Sequence, residues 1–167
     1  MTTAPATIQA DHLVGAIKKC GITHLCWLPD SESRFFFDAI IAESSITLVP
    51  VCREAEALAV ATGLWIGGAK PAVLIQNTGF YESGDSLRGV IADGAFPLLL
   101  LIGWRGHRRR NEGDKAGNLM EPVLGAYDIP YHVVETDDHV ERIVEAHTQA
   151  QEESRIVAAL IASEYRL

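Results

Sequence analysis

The chain has 167 residues, 48% of them hydrophobic and 22% charged, which supplies one large core and fits one ordinary domain spanning 1–167. Its 14 Lys and Arg stand against 22 Asp and Glu, a formal net charge of -8, so the field around the molecule repels phosphates and argues against a nucleic-acid partner. No run approaches the roughly 18 apolar residues of a membrane span, and Met1 to Gln9 lacks basic and apolar leader regions, which predicts a cytoplasmic protein with no membrane contact.

Leu13, Ile17 and Cys20 recur at near-helical spacing after Asp11 until Gly21 stops them, which predicts an opening helix. Leu25 to Leu28 reads as a short buried strand running into the turn Pro29-Asp30-Ser31, and Ser33 as the cap of a helix over Phe35 to Ala42. A second strand is expected over Thr47 to Val51, then an alanine-rich helix from Glu54 to Ile66 ended by Gly67-Gly68. Ala72 to Ile75 is all aliphatic, as a parallel strand covered on both faces must be. Asn77 to Gly94 has a weak helical pattern, and Pro97 to Ile102 is the most apolar run, suited to a central strand. Gly103 to Asn118 turns abruptly to Gly, Arg, Asn and charge, which predicts a long mobile loop. The remainder reads as a helix from Leu119, a strand at His132 to Val134, a helix from Asp138 to Gln151 and a last strand from Ile156 to Ile161.

Strands alternating with helices at this spacing predict an α/β fold: a doubly wound, mainly parallel sheet of about six strands with helices on both faces. Ligands of such sheets sit beyond the carboxyl ends of the strands, which directs attention to Pro29 to Ser33, Cys52 to Glu54, Gln76 to Gly84 and Gly103 to Asn118. Cys20, Cys26 and Cys52 show no metal-binding spacing and are expected to be buried reduced thiols.

Glu54 opens a helix directly after a strand, where a carboxylate is favoured by the helix N-terminus and faces the ligand crevice. Ala57, Ala61 and Gly63 follow it in an E-x-x-A-x-x-x-A-x-G pattern, small residues that let the helix lie close against its neighbours. This pattern resembles the pyrimidine-binding domain of thiamine diphosphate-dependent decarboxylases and acetolactate synthases. Downstream, Gln76-Asn77-Thr78-Gly79 and Leu100-Leu101-Ile102-Gly103-Trp104-Arg105-Gly106 are similar to the sulfopyruvate and phosphonopyruvate decarboxylase branch, alpha subunits included. The resemblance implies thiamine diphosphate as cofactor, with the carboxylate of Glu54 at N1′ of its aminopyrimidine, where it promotes proton removal from the thiazolium C2. It further implies decarboxylation of a small anionic 2-oxo acid to its aldehyde.

The resemblance also calls for a Mg²⁺- and diphosphate-binding domain with a Gly-Asp-Gly motif and a later Asn. Gly84-Asp85-Ser86 with Asn111 is a poor match, because the third glycine and the leading strand are absent. No metal site is therefore expected in this chain, and a beta subunit is expected to bring Mg²⁺, giving a hetero-oligomer, with self-pairing of the isolated chain as a further expectation. Asn77, Thr78 and Gly79 are candidates for cofactor contact, with an ordinary strand-to-helix turn as the other reading. Asp30 and Ser31 are candidates for the substrate side, with helix capping as the alternative. Arg105, followed by Arg108, Arg109 and Arg110, suits recognition of a carboxylate, sulfonate or phosphonate, and His107 suits a proton shuttle, while the rest of the basic run reads as solvated loop. Trp65 and Trp104 read as packing residues. Two other functions remain open on sequence, carboligation by the same chemistry and a non-catalytic binding module. No nucleophile elbow, P-loop or G-x-G-x-x-G is present.

Overall fold

The computed structural model describes residues 8–107 and 114–162. Six strands, β1 His24–Trp27, β2 Thr47–Pro50, β3 Pro71–Gln76, β4 Leu99–Gly103, β5 Tyr131–Val134 and β6 Val157–Ile161, form one sheet in the order β2-β1-β3-β4-β6-β5. Every pairing is parallel, so the expected mainly parallel doubly wound sheet is present and wholly parallel. The central strands are apolar on both faces because both faces are covered, and β3, β4 and β6 are buried almost throughout.

Strand periodicity divides the core in two. Leu25, Trp27, Leu74, Leu101 and Ala159 pack under α1 (Ala10–Lys19), α2 (Phe37–Ala42) and α8 (Arg142–Glu153). Cys26, Val73, Ile75, Leu100 and Leu160 pack under α3 (Glu54–Ile66), α4 (Asn77–Glu82), α5 (Gly84–Asp93) and α7 (Met120–Ala126). One further helix, α6, covers Lys115–Asn118. Among the described residues no helix is long and apolar enough to cross a membrane.

Three local expectations need correction. The helix predicted after Ser33 is divided into a 3₁₀ turn, Arg34–Phe36, and the short α2, and the Ser33 hydroxyl does not cap it. That hydroxyl accepts the Trp27 indole N–H at 3.0 Å, because a fully buried indole needs an acceptor. The loop expected up to Asn118 ends earlier: Asp114 Oδ1 accepts the N–H groups of Ala116 and Gly117 at 3.0 and 3.2 Å and thereby starts α6. Cys52 is exposed, whereas Cys20 and Cys26 are buried as expected, and burial pushes both of those thiols up to about 11.

Candidate active site

The chain leaves β1 for β2 on one side and then crosses back to β3 on the other, so the direction of winding reverses between β1 and β3. Crevices in open α/β sheets form at such a switch, beyond the strand ends. The turns after three adjacent strands meet here, carrying Asp30 after β1, Glu54 after β2 and Gly79 after β3.

Glu54 is the first residue of α3 and is partly buried. The helix start is fixed around it. Glu56, two residues on, accepts the Cys52 N–H at 2.8 Å, and Arg53, the N-cap, pairs with Glu82 at the end of α4. Ala57 and Ala61 are fully buried on the sheet side, which accounts for two of the small residues in the motif. Gly63 has a different setting: it is exposed, and a Cβ placed on it would meet nothing within 4 Å. The Glu54 side chain lies against Gly79, such that a Cβ on Gly79 would overlap its Cγ, Cδ and Oε1. No described residue hydrogen-bonds or ion-pairs with the partly buried Glu54 carboxylate.

Asp30 shares this crevice. Its Oδ1 accepts the N–H groups of Glu32 at 2.6 Å and Ser33 at 3.0 Å, while Oδ2 is buried without a partner. Burial raises the Asp30 carboxyl above the ordinary aspartate value despite these N–H groups, and the Glu54 charge adds to the rise. The folded state thus holds this proton more tightly than the unfolded chain does. The resulting stability is fully present below the ordinary aspartate value of about 4 and is lost as pH rises through the folded value. Asp30→Asn is therefore expected to melt above the wild type at pH 7, with the gap closing as the pH falls toward about 4. Melting curves across this range check it, and a gap that does not change with pH contradicts it.

The remaining predicted site residues divide. Ser31 is exposed in the turn after β1, and Thr78 is partly buried with its N–H on Asn77 Oδ1 at 3.1 Å. Asn77 is fully buried, and its Nδ2 donates to the carbonyls of Arg105 and Ala116, both at 3.0 Å. Its amide is thus turned inward, tying the start of α4, the turn after β4 and α6 together. The Arg105 side chain is exposed and no described residue pairs with it. His107 departs from the expected mobile loop: it is 6% exposed, its ring is 4.3 Å from Trp104, and its Nε2 lies 2.9 Å from Glu135 Oε1. Glu135 follows edge strand β5, whereas Glu54 follows β2 at the opposite edge, so the structure does not bring His107 to Glu54. Arg108, Arg109, Arg110 and Asn111 lie outside the described residues. Asp85 is exposed and pairs with Arg88 at 2.8 Å, and among the described residues no cluster of His, Cys, Asp or Glu suits a metal.

The Gly-Trp-Arg-Gly segment owes its composition to packing. Trp104 is buried and donates its indole N–H to the Gly117 carbonyl at 3.0 Å. Gly106 has φ 80°, open to glycine at little cost, and its carbonyl stands where a Cβ on Gly117 would be. One feature of the site escapes the motifs: Arg34, four residues beyond Asp30, lines with Asp30, Pro29, Phe37 and Asp38 a cavity of about 450 Å³. A lone cation after a strand-end aspartate was its sole signal in the sequence.

The Glu54 carboxylate opens the helix after β2, at the switch point of a parallel sheet, with no hydrogen-bond or ion-pair partner among the described residues. The chain belongs to the thiamine pyrophosphate enzyme family, N-terminal TPP binding domain, whose pattern matches residues 9–127. It is similar to the sulfopyruvate decarboxylase subunit alpha of Methanococcus maripaludis, 26% identical over 131 residues that make up 77% of this chain and 78% of that protein. The corresponding subunit of Methanocaldococcus jannaschii is 25% identical over 134 residues, 79% of both chains. The phosphonopyruvate decarboxylase of Streptomyces viridochromogenes is 27% identical over 118 residues, 71% of this chain but 30% of that longer protein. These decarboxylase relatives agree with the resemblance read from the three motifs.

Proposed function

We propose that this chain is the pyrimidine-binding alpha subunit of a two-subunit, thiamine diphosphate-dependent decarboxylase acting on a small anionic 2-oxo acid of the sulfopyruvate or phosphonopyruvate kind. The observation that carries the reading is the Glu54 carboxylate: partly buried at the crevice, seated on Gly79 and without a protein partner among the described residues. The alpha-subunit relatives, matched over most of their length, support it.

The donor set fits the cofactor. A carboxylate partly withdrawn from water shares a proton with a ring nitrogen more strongly than an exposed one, and Glu54 would take that task at N1′ of the aminopyrimidine when the cofactor is bound. Bound thiamine diphosphate supplies the electron sink for the pair of electrons left when carbon dioxide departs. Asp30, whose burial favours its protonated form, borders the crevice and is positioned to hold a proton on the substrate side, with Ser31 at the mouth of the same turn. Arg105 presents an exposed guanidinium suited to a carboxylate, sulfonate or phosphonate. Mg²⁺ and the diphosphate fall to the partner subunit, and the pair forms a cytoplasmic hetero-oligomer. Thr78 and the backbone at Gly79 complete the cofactor side.

The test is reconstitution. Neither subunit alone is expected to release carbon dioxide, and the chain mixed with a sulfopyruvate decarboxylase-type beta subunit, thiamine diphosphate and Mg²⁺ is expected to do so from sulfopyruvate or phosphonopyruvate in preference to pyruvate. Absence of turnover with every such partner, together with failure to bind the cofactor, defeats the reading.

A further inference from the structure

We infer that Gly79 is a positioning residue for Glu54: the absence of a side chain at 79 gives the carboxylate its seat on α4, and a methyl group there displaces the carboxylate rather than the fold. The consequence for turnover rests on the function proposed above, whereas the steric relation stands without it.

Backbone conformation does not require glycine at 79. The described glycines with positive φ are Gly21, Gly68 and Gly106, and Gly79 lies within α4. Glycine in a helix costs about 1 kcal/mol relative to alanine, so on local preference alanine is the better residue there. What alanine meets is Glu54. The three nearest atoms to a Cβ at 79 all belong to that side chain, and all overlap it.

The seat does not retreat. The Gly79 carbonyl accepts the Ser83 hydroxyl at 2.8 Å and the Ser83 N–H at 3.0 Å, with Ser83 almost fully buried. Asn77 ties the start of α4 to the Arg105 and Ala116 carbonyls, and Glu82 ties its end to Arg53, the residue before Glu54. Between a braced helix and the far end of a flexible side chain, the side chain moves. A displacement of about 1 Å at a reacting group costs on the order of 10²-fold in rate.

The experiment uses Gly79→Ala, Glu54→Ala and the double variant, with Gly15→Ala as control, since a Cβ at Gly15 meets nothing within 4 Å. Melting temperatures are read on the isolated chain, and kcat and KM on the reconstituted complex. In the Glu54→Ala background, Gly79→Ala is expected to raise the melting temperature by about 2–4 °C, the helix-propensity gain. With Glu54 present that gain is lost, while kcat of Gly79→Ala falls about 10²-fold at nearly unchanged KM and Gly15→Ala matches the wild type in turnover. The proposal is overturned if Gly79→Ala shifts the melting temperature equally in both backgrounds, or if it turns over at the wild-type rate. Should Gly79→Ala fail to fold, folding of the double variant supports the steric relation and its failure overturns it. A wild-type complex without turnover defeats the proposed function, while the melting coupling still decides whether Gly79 seats Glu54.

Discussion

Glu54→Gln is expected to lower kcat of the reconstituted enzyme by about 10²–10⁴-fold, the range ascribed to one positioned acid or base. Glutamine matches the shape of glutamate, so it fits the same seat beside Gly79 and keeps the first turn of α3. It loses the capacity to share a proton with a ring nitrogen. Stability is expected to change little, because no described residue hydrogen-bonds with the carboxylate it replaces. Kinetics and a melting curve on the same preparation separate the two effects. Glu54→Asp is predicted to lie between wild type and glutamine: the charge stays but the reach is one methylene shorter. A glutamine variant with near-normal kcat would falsify the role given to Glu54.

Asn77→Ala carries the second large effect, and it falls on stability. Removing the amide takes from the Arg105 carbonyl the donor it has at 3.0 Å, whereas the Ala116 carbonyl keeps the Tyr81 hydroxyl as donor at 2.6 Å. An unsatisfied buried group costs about 1–3 kcal/mol, and a loss in that range is expected. At about 2–4 °C per kcal/mol for a chain of this size, the melting temperature falls by roughly 2–12 °C. Asn77→Asp is expected to be no better, since it turns an acceptor toward two acceptors. Urea unfolding gives the figure directly, and a variant within about 0.5 kcal/mol of wild type contradicts the bracing role. The same substitution should lower kcat, because α4 carries the seat of Glu54.

Most of the scaffold was legible from the sequence because its physics is local. Short aliphatic runs such as Ala72 to Ile75 suit a strand covered on both faces, and the Gly67-Gly68 stop ends α3 where expected. The place of Glu54 at a helix start after a strand was legible in the same way, whereas the role expected of it came from the motif behind it and the resemblance that motif carries. What escaped notice depends on contacts between distant segments. Gly79 read as a candidate for cofactor contact, with an ordinary strand-to-helix turn as the alternative, and nothing local pointed to the Glu54 side chain, 25 positions earlier, that lies against it. Asn77 read as a polar group offered to the crevice, and its amide instead satisfies two backbone carbonyls that only the tertiary fold brings to it. His107 read as a proton shuttle on a mobile loop, and the structure instead holds it in a buried setting against Trp104. Its anchor, Glu135, belongs to the turn after β5, and no local pattern connects the two.

The central claim is that Glu54 acts on the cofactor itself. The most direct measurement is the rate at which the thiazolium C2 proton of enzyme-bound thiamine diphosphate exchanges with deuterium, followed by rapid quench and NMR, with no oxo acid present. Wild-type complex is predicted to exchange about 10²–10⁴-fold faster than the Glu54→Gln complex, whose rate should approach that of the free cofactor. Equal exchange in the two complexes would contradict the account, however much turnover the glutamine variant had lost.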